Sequence, residues 1–290
     1  MTDAHPLRTS GQTAVDQTRP VIASGSDGQN AVPELACFAD PESDLPPLLM
    51  VHGMLVSHRT WDPNAAISAQ FRRICVDLPG HGASPAVTTA AEAHPAALIR
   101  ALDAVRARLN IPRWHICGQS FGAGLVLHYA LAMPERCASV TITNGNAALR
   151  AEFTPEAEAA NAALVAEIRS AGQAAIRQMT YHPAKARHFT PEIRTMLSGE
   201  ADKADPASIA LLLQEAMPRL SSHARLANLA CPALLVNGLR ERRFQPARAW
   251  LGETHPGFRI VDLPGGHSIN VECPEGFNDA VTAFAAPVPL

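Results

Sequence analysis

No apolar run in this chain is long enough to span a bilayer, so a helical membrane anchor is not expected. Charge of one sign is also missing. Lys and Arg number 24 against 27 Asp and Glu, for a net charge of −3, so neither nucleic acid nor an anionic membrane is an expected partner. The six cysteines, Cys37, Cys75, Cys117, Cys137, Cys231 and Cys273, have neither CxxC spacing nor the density of a disulfide scaffold. Buried thiols in a reducing cytoplasm are the expectation. No histidine pair has ligand spacing with a carboxylate or cysteine nearby, which argues against a metal site. The opening "MTDAHPLRTSGQTAVDQTRP" lacks the apolar core of a secretory signal, and residues 1–30 read as a polar, flexible lead-in. Internal repeats and low-complexity tracts are absent too.

What the chain does have is a series of short apolar runs: LLMVHG (48–53), RRICVDLPG (72–80), WHICG (114–118), SVTITNG (139–145), PALLVNG (232–238) and FRIVDLPGG (258–266). Most end in glycine, and helix-like stretches such as 92–109, 121–133 and 271–285 lie between them. Strand, glycine turn and helix in repetition predict an α/β fold: a mostly parallel, doubly wound sheet covered on both faces. The run "PELACFADPESDLPP" at 33–47 predicts an early antiparallel edge strand. Residues 146–229 differ, being rich in Ala, Glu, Arg and Leu at helical spacing without a good strand. They read as a helical lid inserted into a core of residues 31–145 and 230–290. Function in such sheets gathers at the carboxyl ends of the strands.

One of those ends holds "HICGQSFGAG", with Ser120 between Gly118 and Gly122. A serine hydroxyl is a poor nucleophile at neutral pH and must be presented to a base. A sharp strand-to-helix turn does this, and it demands very small residues two positions to either side. The helix start also aims free N–H groups, including that of Phe121, at any oxyanion formed beside Ser120. The bland alternative is a helix-starting loop with Ser120 as a simple N-cap.

Four segments in order, "LLMVHGM" (48–54), "VDLPGHGAS" (76–84), "GQSFGAG" (118–124) and "LPGGHSINVECP" (263–274), resemble the α/β-hydrolase family, on its serine-nucleophile, esterase-like branch. The resemblance covers roughly residues 33 to 285, with no diagnostic motif in the lid. It implies Ser120 as nucleophile, His267 as general base and then acid, and the backbone N–H groups of Met54 and Phe121 as the oxyanion hole. It gives His52 and His81 loop-shaping roles and Asp77 a structural role in its turn. No cofactor is implied, since a triad supplies its own acid–base chemistry.

The triad acid departs from the family pattern. The family usually places an aspartate three residues after the glycine ending the relevant strand; counted from Gly238, that position holds Glu241. Glutamate can hold the imidazole tautomer and stabilise the imidazolium equally well in principle. The competing view makes Glu241 one charge in a solvated loop with Arg240, Arg242 and Arg243, which read first as surface or ion-pair residues. One of these arginines reaching a pocket to bind an anionic group is the less expected alternative. The other family location for the acid, after the TITNG strand, offers only Asn144 and Asn146, while Asp262 lies too near His267 in sequence to swing round. His128, and the lid residues His182, Arg187, His188 and Phe189, are expected to serve packing and solvation.

Together these readings point to a serine hydrolase acting on a small-molecule carboxylic ester or thioester through an acyl-enzyme. The same machinery also serves acyl transfer, carbon–carbon bond hydrolysis or peracid formation. A serine at 120 disfavours the dehalogenase and epoxide-hydrolase branches, which use aspartate. A hydrolase fold retained only to bind a ligand is the non-catalytic alternative.

Overall fold

The structure, a computed structural model, describes residues 32–290; the expectation for residues 1–30 falls outside them. Seven strands form one sheet in the order β1-β3-β2-β4-β5-β6-β7. They are β1 (Cys37–Ala39), β2 (Pro47–Val51), β3 (Arg72–Val76), β4 (Trp114–Gly118), β5 (Cys137–Ile142), β6 (Ala233–Gly238) and β7 (Phe258–Leu263). Only β1 runs antiparallel, against β3, as the polar run at 33–47 suggested. Strands β4, β5 and β6 are buried at every residue, because helices cover both faces. Alternate side chains divide between two cores. Val51, Ile116, Val140 and Leu235 face the helices Pro95–Arg108, Phe121–Ala132 and Gln245–Thr254. Met50, Cys117, Leu234 and Val236 face the helix Pro274–Ala285 and the 3₁₀ segment His58–Ala69.

Two helices predicted as continuous are broken, both at proline. Residues 92–109 divide at His94, before Pro95, and residues 271–285 divide at Cys273, before Pro274. A proline has no N–H to continue a helix from the preceding turn, yet it suits the first position of a new one.

Between β5 and β6 the chain is helical without a strand, including Pro155–Ala171, Pro191–Ala201 and Pro206–Leu211. Each of these three starts with a capping side chain followed by proline. Thr154, Thr190 and Asp205 accept from the N–H groups of Ala157, Ile193 and Ser208. This segment packs on the carboxyl edge of the sheet: Asp205 N–H donates to Gly80 O at 2.8 Å, and Ser222 N–H to Ala148 O at 2.8 Å. No helix among the described residues is long and apolar enough to cross a membrane, and all six cysteines are free thiols.

The loops after β2 and β3 are tied together by two buried histidines. Leu78 N–H donates to His52 Nε2 at 2.9 Å, which leaves the ring proton on Nδ1 to donate to Gly53 O at 2.6 Å. In return, Leu55 N–H donates to His81 Nε2 at 3.1 Å, and His81 Nδ1 donates to Pro79 O at 2.9 Å. The two rings meet edge to face at 5.1 Å. Below them Asp77 accepts from the N–H groups of His58 and Ala83 at 2.6 and 2.8 Å. Burial pushes the Asp77 carboxyl up, but the hydrogen bonds from His58 and the Ala83 amide outweigh it and hold the carboxyl below its ordinary value.

This clasp requires neutral imidazoles. Burial lowers both histidines, His81 to about 3. An unfolded histidine titrates near about 6.5, so below that pH the unfolded chain takes up protons that the native clasp refuses. Native stability is therefore expected to fall on acidification from pH 7, by up to about 1.4 kcal/mol per pH unit for each such histidine. Urea unfolding at pH 7.5, 6.0 and 5.0 measures this. The wild-type midpoint should drop, and His81→Gln, less stable at pH 7.5, should show a shallower dependence. A wild-type midpoint unchanged across that range would mean that the rings protonate in place.

Candidate active site

Ser120 lies one residue beyond β4, after Gln119, and adopts φ 53° and ψ −109°, left-handed backbone that an L-residue rarely occupies. Such a conformation costs on the order of 1–3 kcal/mol and persists only where the surroundings over-determine it. Here the surroundings are backbone. A Cβ on Gly118 would meet Gly122 O at 2.4 Å, and one on Gly122 would meet Val51 O at 2.3 Å. Hydrogen bonds from Gln119 N–H to Val51 O, and from Gly122 N–H to Gln119 O, both 2.9 Å, lock the turn. Ser120 stands at the N-cap position of the helix Phe121–Ala132 but makes no capping hydrogen bond. Its hydroxyl lies instead 2.8 Å from His267 Nε2.

His267 Nδ1 lies 2.9 Å from Glu241 Oε2. A carboxylate can only accept, so the ring proton sits on Nδ1 and Nε2 is free to accept from the serine hydroxyl. Glu241 is not a solvated loop charge. Its side chain is 15% exposed, whereas Arg240, Arg242 and Arg243 around it are exposed. Burial pushes the Glu241 carboxyl up, but His267, Asn144 and Asn146 more than compensate and hold it below its ordinary value. A group so depressed is ionised throughout the neutral range.

The loops that carry this pair touch. Leu239 N–H donates to Leu263 O at 3.0 Å and Arg240 N–H to Gly265 O at 2.8 Å. At Gly238 the approach is so close that a Cβ would stand 2.0 Å from Gly266 O. Gly266 N–H in turn donates to Glu272 Oε2 at 2.8 Å, fixing the loop just before His267.

Three residues that set this geometry carry no acid–base role in the sequence reading. Asn144 pairs its side-chain amide with both backbone groups of Gly238, accepting from N–H at 2.8 Å and donating to O at 3.1 Å. Asn146 Nδ2 donates to Glu241 Oε1 at 2.8 Å, on the oxygen that His267 leaves free. Both asparagines, which occupy the other family location for the acid, are partners of Glu241 and its loop. Gln245 Nε2 lies within 3.1 Å of Gly238 O and 3.0 Å of Glu241 O. Nothing in the local sequence marks Gln245 for that task.

Other candidates lie elsewhere. Asp262 is engaged by Arg248 at 2.7 Å and by Asn237 at 2.8 Å. His128 sits against Arg225 at 3.2 Å. His182 is buried and accepts from Ala184 N–H, while Arg187 and His188 are exposed and Phe189 is half-buried. Met54 is buried in the loop that the histidine clasp holds, next to Gly53, whose Cβ position would be 3.1 Å from Ser120 Cβ. Among the described residues, neither Met54 N–H nor Phe121 N–H donates to a protein acceptor.

This arrangement brings a serine hydroxyl to an imidazole whose tautomer is fixed by a carboxylate. Residues 46–274 match the family described as alpha/beta hydrolase fold. A carboxylesterase of Bacillus subtilis is 25% identical over 252 residues, 85% of this chain and 82% of its own length. A pimeloyl-[acyl-carrier protein] methyl ester esterase of Nitrosomonas europaea is 28% identical, covering 80% of this chain and 92% of its own. Among solved structures, MenH from S. aureus superposes with a TM-score of 0.76 at 18% identity, covering 87% of this chain and 97% of its own, a likeness of fold. With its sheet order, its strained serine turn and a family match across most of its length, the chain belongs to the α/β-hydrolase fold family, on the esterase-like side.

Proposed function

We propose that this protein is a serine hydrolase that cleaves carboxylic esters or thioesters through an acyl-enzyme. The observation that carries the reading is the unbroken hydrogen-bond path from Ser120 Oγ through His267 to Glu241, at 2.8 and 2.9 Å. Ser120 Oγ attacks the carbonyl carbon while His267 Nε2 takes its proton. The ionised Glu241 stabilises the imidazolium that results. Negative charge gathering on the carbonyl oxygen is met by the N–H groups of Met54 and Phe121, which have no competing acceptor and so need no rearrangement when the charge develops. His267 then protonates the departing alcohol or thiol. Water, deprotonated by the same nitrogen, releases the acid and restores the serine. The neighbouring esterases are consistent with this chemistry, and the helices of residues 146–229 act as the lid over a core of 31–145 and 230–290.

Glutamate in place of the usual aspartate works because the acid is held from both ends. Gln245 and Asn144 fix the loop backbone, and Asn146 occupies the second carboxylate oxygen. A carboxylate one methylene shorter, on the same backbone, would fall short of His267.

A series of short-to-medium p-nitrophenyl esters tests the reading. Ser120→Ala is expected to lower kcat/KM by at least about 10³-fold with folding intact, and to abolish labelling by a fluorophosphonate. Full retention of activity in that variant rules the mechanism out. Glu241→Gln keeps the shape but removes the charge, and should cost about 10²–10⁴-fold, mostly in kcat. Glu241→Asp should also lose activity, by about tenfold or more, since the reach to the ring is lost. If Glu241→Asp were as active as wild type, the support from Asn146 and Gln245 would have no catalytic consequence.

A further inference from the structure

Beside the acid loop lies a cavity of about 460 Å³ that the mechanism above does not use. Three segments converge on it: the turn after β5, the stretch before β6 that carries His223, and the start of the helix Gln245–Thr254. Its walls include Asn146, Arg150, His223, Arg243 and Trp250, and among the described residues no Asp or Glu lines it. The walls are rigidly joined. Ser221 Oγ donates to Arg150 O at 2.5 Å, His223 N–H donates to Ser221 Oγ at 3.2 Å, and the His223 ring stacks on Trp250 at 3.9 Å.

The cations here lack counter-ions. Arg150 is half-buried, with its guanidinium 4.1 Å over the Phe153 ring and a hydrogen bond to Met217 O. Its Nε is buried and unpartnered, and no carboxylate pairs with it among the described residues. Burial pushes the group below its ordinary pKa, as for a cation partly stripped of water with no counter-charge beside it. The Arg243 side chain also has no hydrogen-bond or ion-pair partner among the described residues. Glu241, which bonds the lining residue Asn146, spends its charge on His267. Two arginines and an indole line one cavity, and the unpaired fork of Arg243 suits a planar anion attached to a small organic body, since arginine pairs with carboxylates through its fork of donors.

We propose that this cavity binds a carboxylate, supplied either by a substrate bearing an acidic tail or by a free small carboxylic acid. The first source rests on the ester-hydrolase reading above; the second does not. Because Asn146 both lines the cavity and holds Glu241, an occupant would sit one hydrogen bond from the triad acid.

The test has two arms on the full chain. In the first, succinate is titrated calorimetrically into wild type, Arg243→Gln and, as a control, Arg187→Gln, whose exposed side chain is far along the helical segment. Saturable binding by wild type and by Arg187→Gln, weakened about tenfold or more by Arg243→Gln, is expected. In the second, kcat/KM is compared for p-nitrophenyl hemisuccinate and p-nitrophenyl butyrate. A wild-type ratio favouring the hemisuccinate by about tenfold, collapsing in Arg243→Gln, assigns the carboxylate to the substrate. Succinate binding that depends on Arg243, with no preference between the esters, assigns it to a free acid. Should neither succinate binding nor the ester ratio depend on Arg243, the proposal is wrong. Succinate binding without turnover of either ester would overturn the hydrolase reading and leave the cavity's role intact. Arg243 is exposed and unpartnered, so its replacement leaves the fold undisturbed.

Discussion

Everything in this site depends on the left-handed backbone at Ser120. A φ of 53° on an L-residue is unfavourable, and the molecule sustains it by packing one backbone directly against another. Gly118 and Gly122 bring the elbow against itself and against β2, leaving no space for a methyl group at either position. The hydrogen bonds from Gln119 to Val51 and from Thr143 to Gly118 then tie the elbow to the strands on both sides. The hydroxyl is thereby denied the capping bond that a serine at a helix start would ordinarily make, and it is turned toward His267.

The same economy governs the loops around the elbow, which are irregular yet fixed by buried side chains. His52 and His81 exchange hydrogen bonds with each other's loops, and so set the path of the chain through Met54 and Leu55. Asn144 imitates a strand neighbour for Gly238 where the sheet has run out of backbone partners. Loops held this way keep reacting groups in register without lengthening the sheet, which lets a rigid scaffold carry variable chemistry. The cost is sensitivity to protonation, since the histidine clasp works only with neutral rings.

Glu241 shows how a departure from a family pattern is absorbed. A longer acid could wander, but its carboxylate has one oxygen on His267 and the other on Asn146, and its backbone is held by Gln245. Hydrogen bonds to an ionised group are among the stronger ones available, and here they outweigh the burial that would otherwise favour the neutral acid. The loop's arginines take no part in the Ser120–His267–Glu241 path, and Arg243 and the partner Asn146 both form part of the wall of the neighbouring cavity.

Much of this was legible in one dimension. Apolar runs ending in glycine marked the buried strands, because a strand covered on both faces has no polar side to reveal. Gly118 and Gly122 marked the elbow, because only the smallest residues permit that approach. Helix breaks at Pro95 and Pro274 were missed although the cause was in plain sight, since periodicity alone does not weigh a missing N–H. Other features exist only through tertiary contact. Whether Glu241 faced solvent or His267 depended on loops 26 residues apart meeting at Gly238. The partnership of Asn146 with Glu241 spans 95 residues, and the helices of the insertion intervene between them in sequence. Residue type sets what a side chain can donate or accept; only the packing of distant segments decides which donor finds which acceptor.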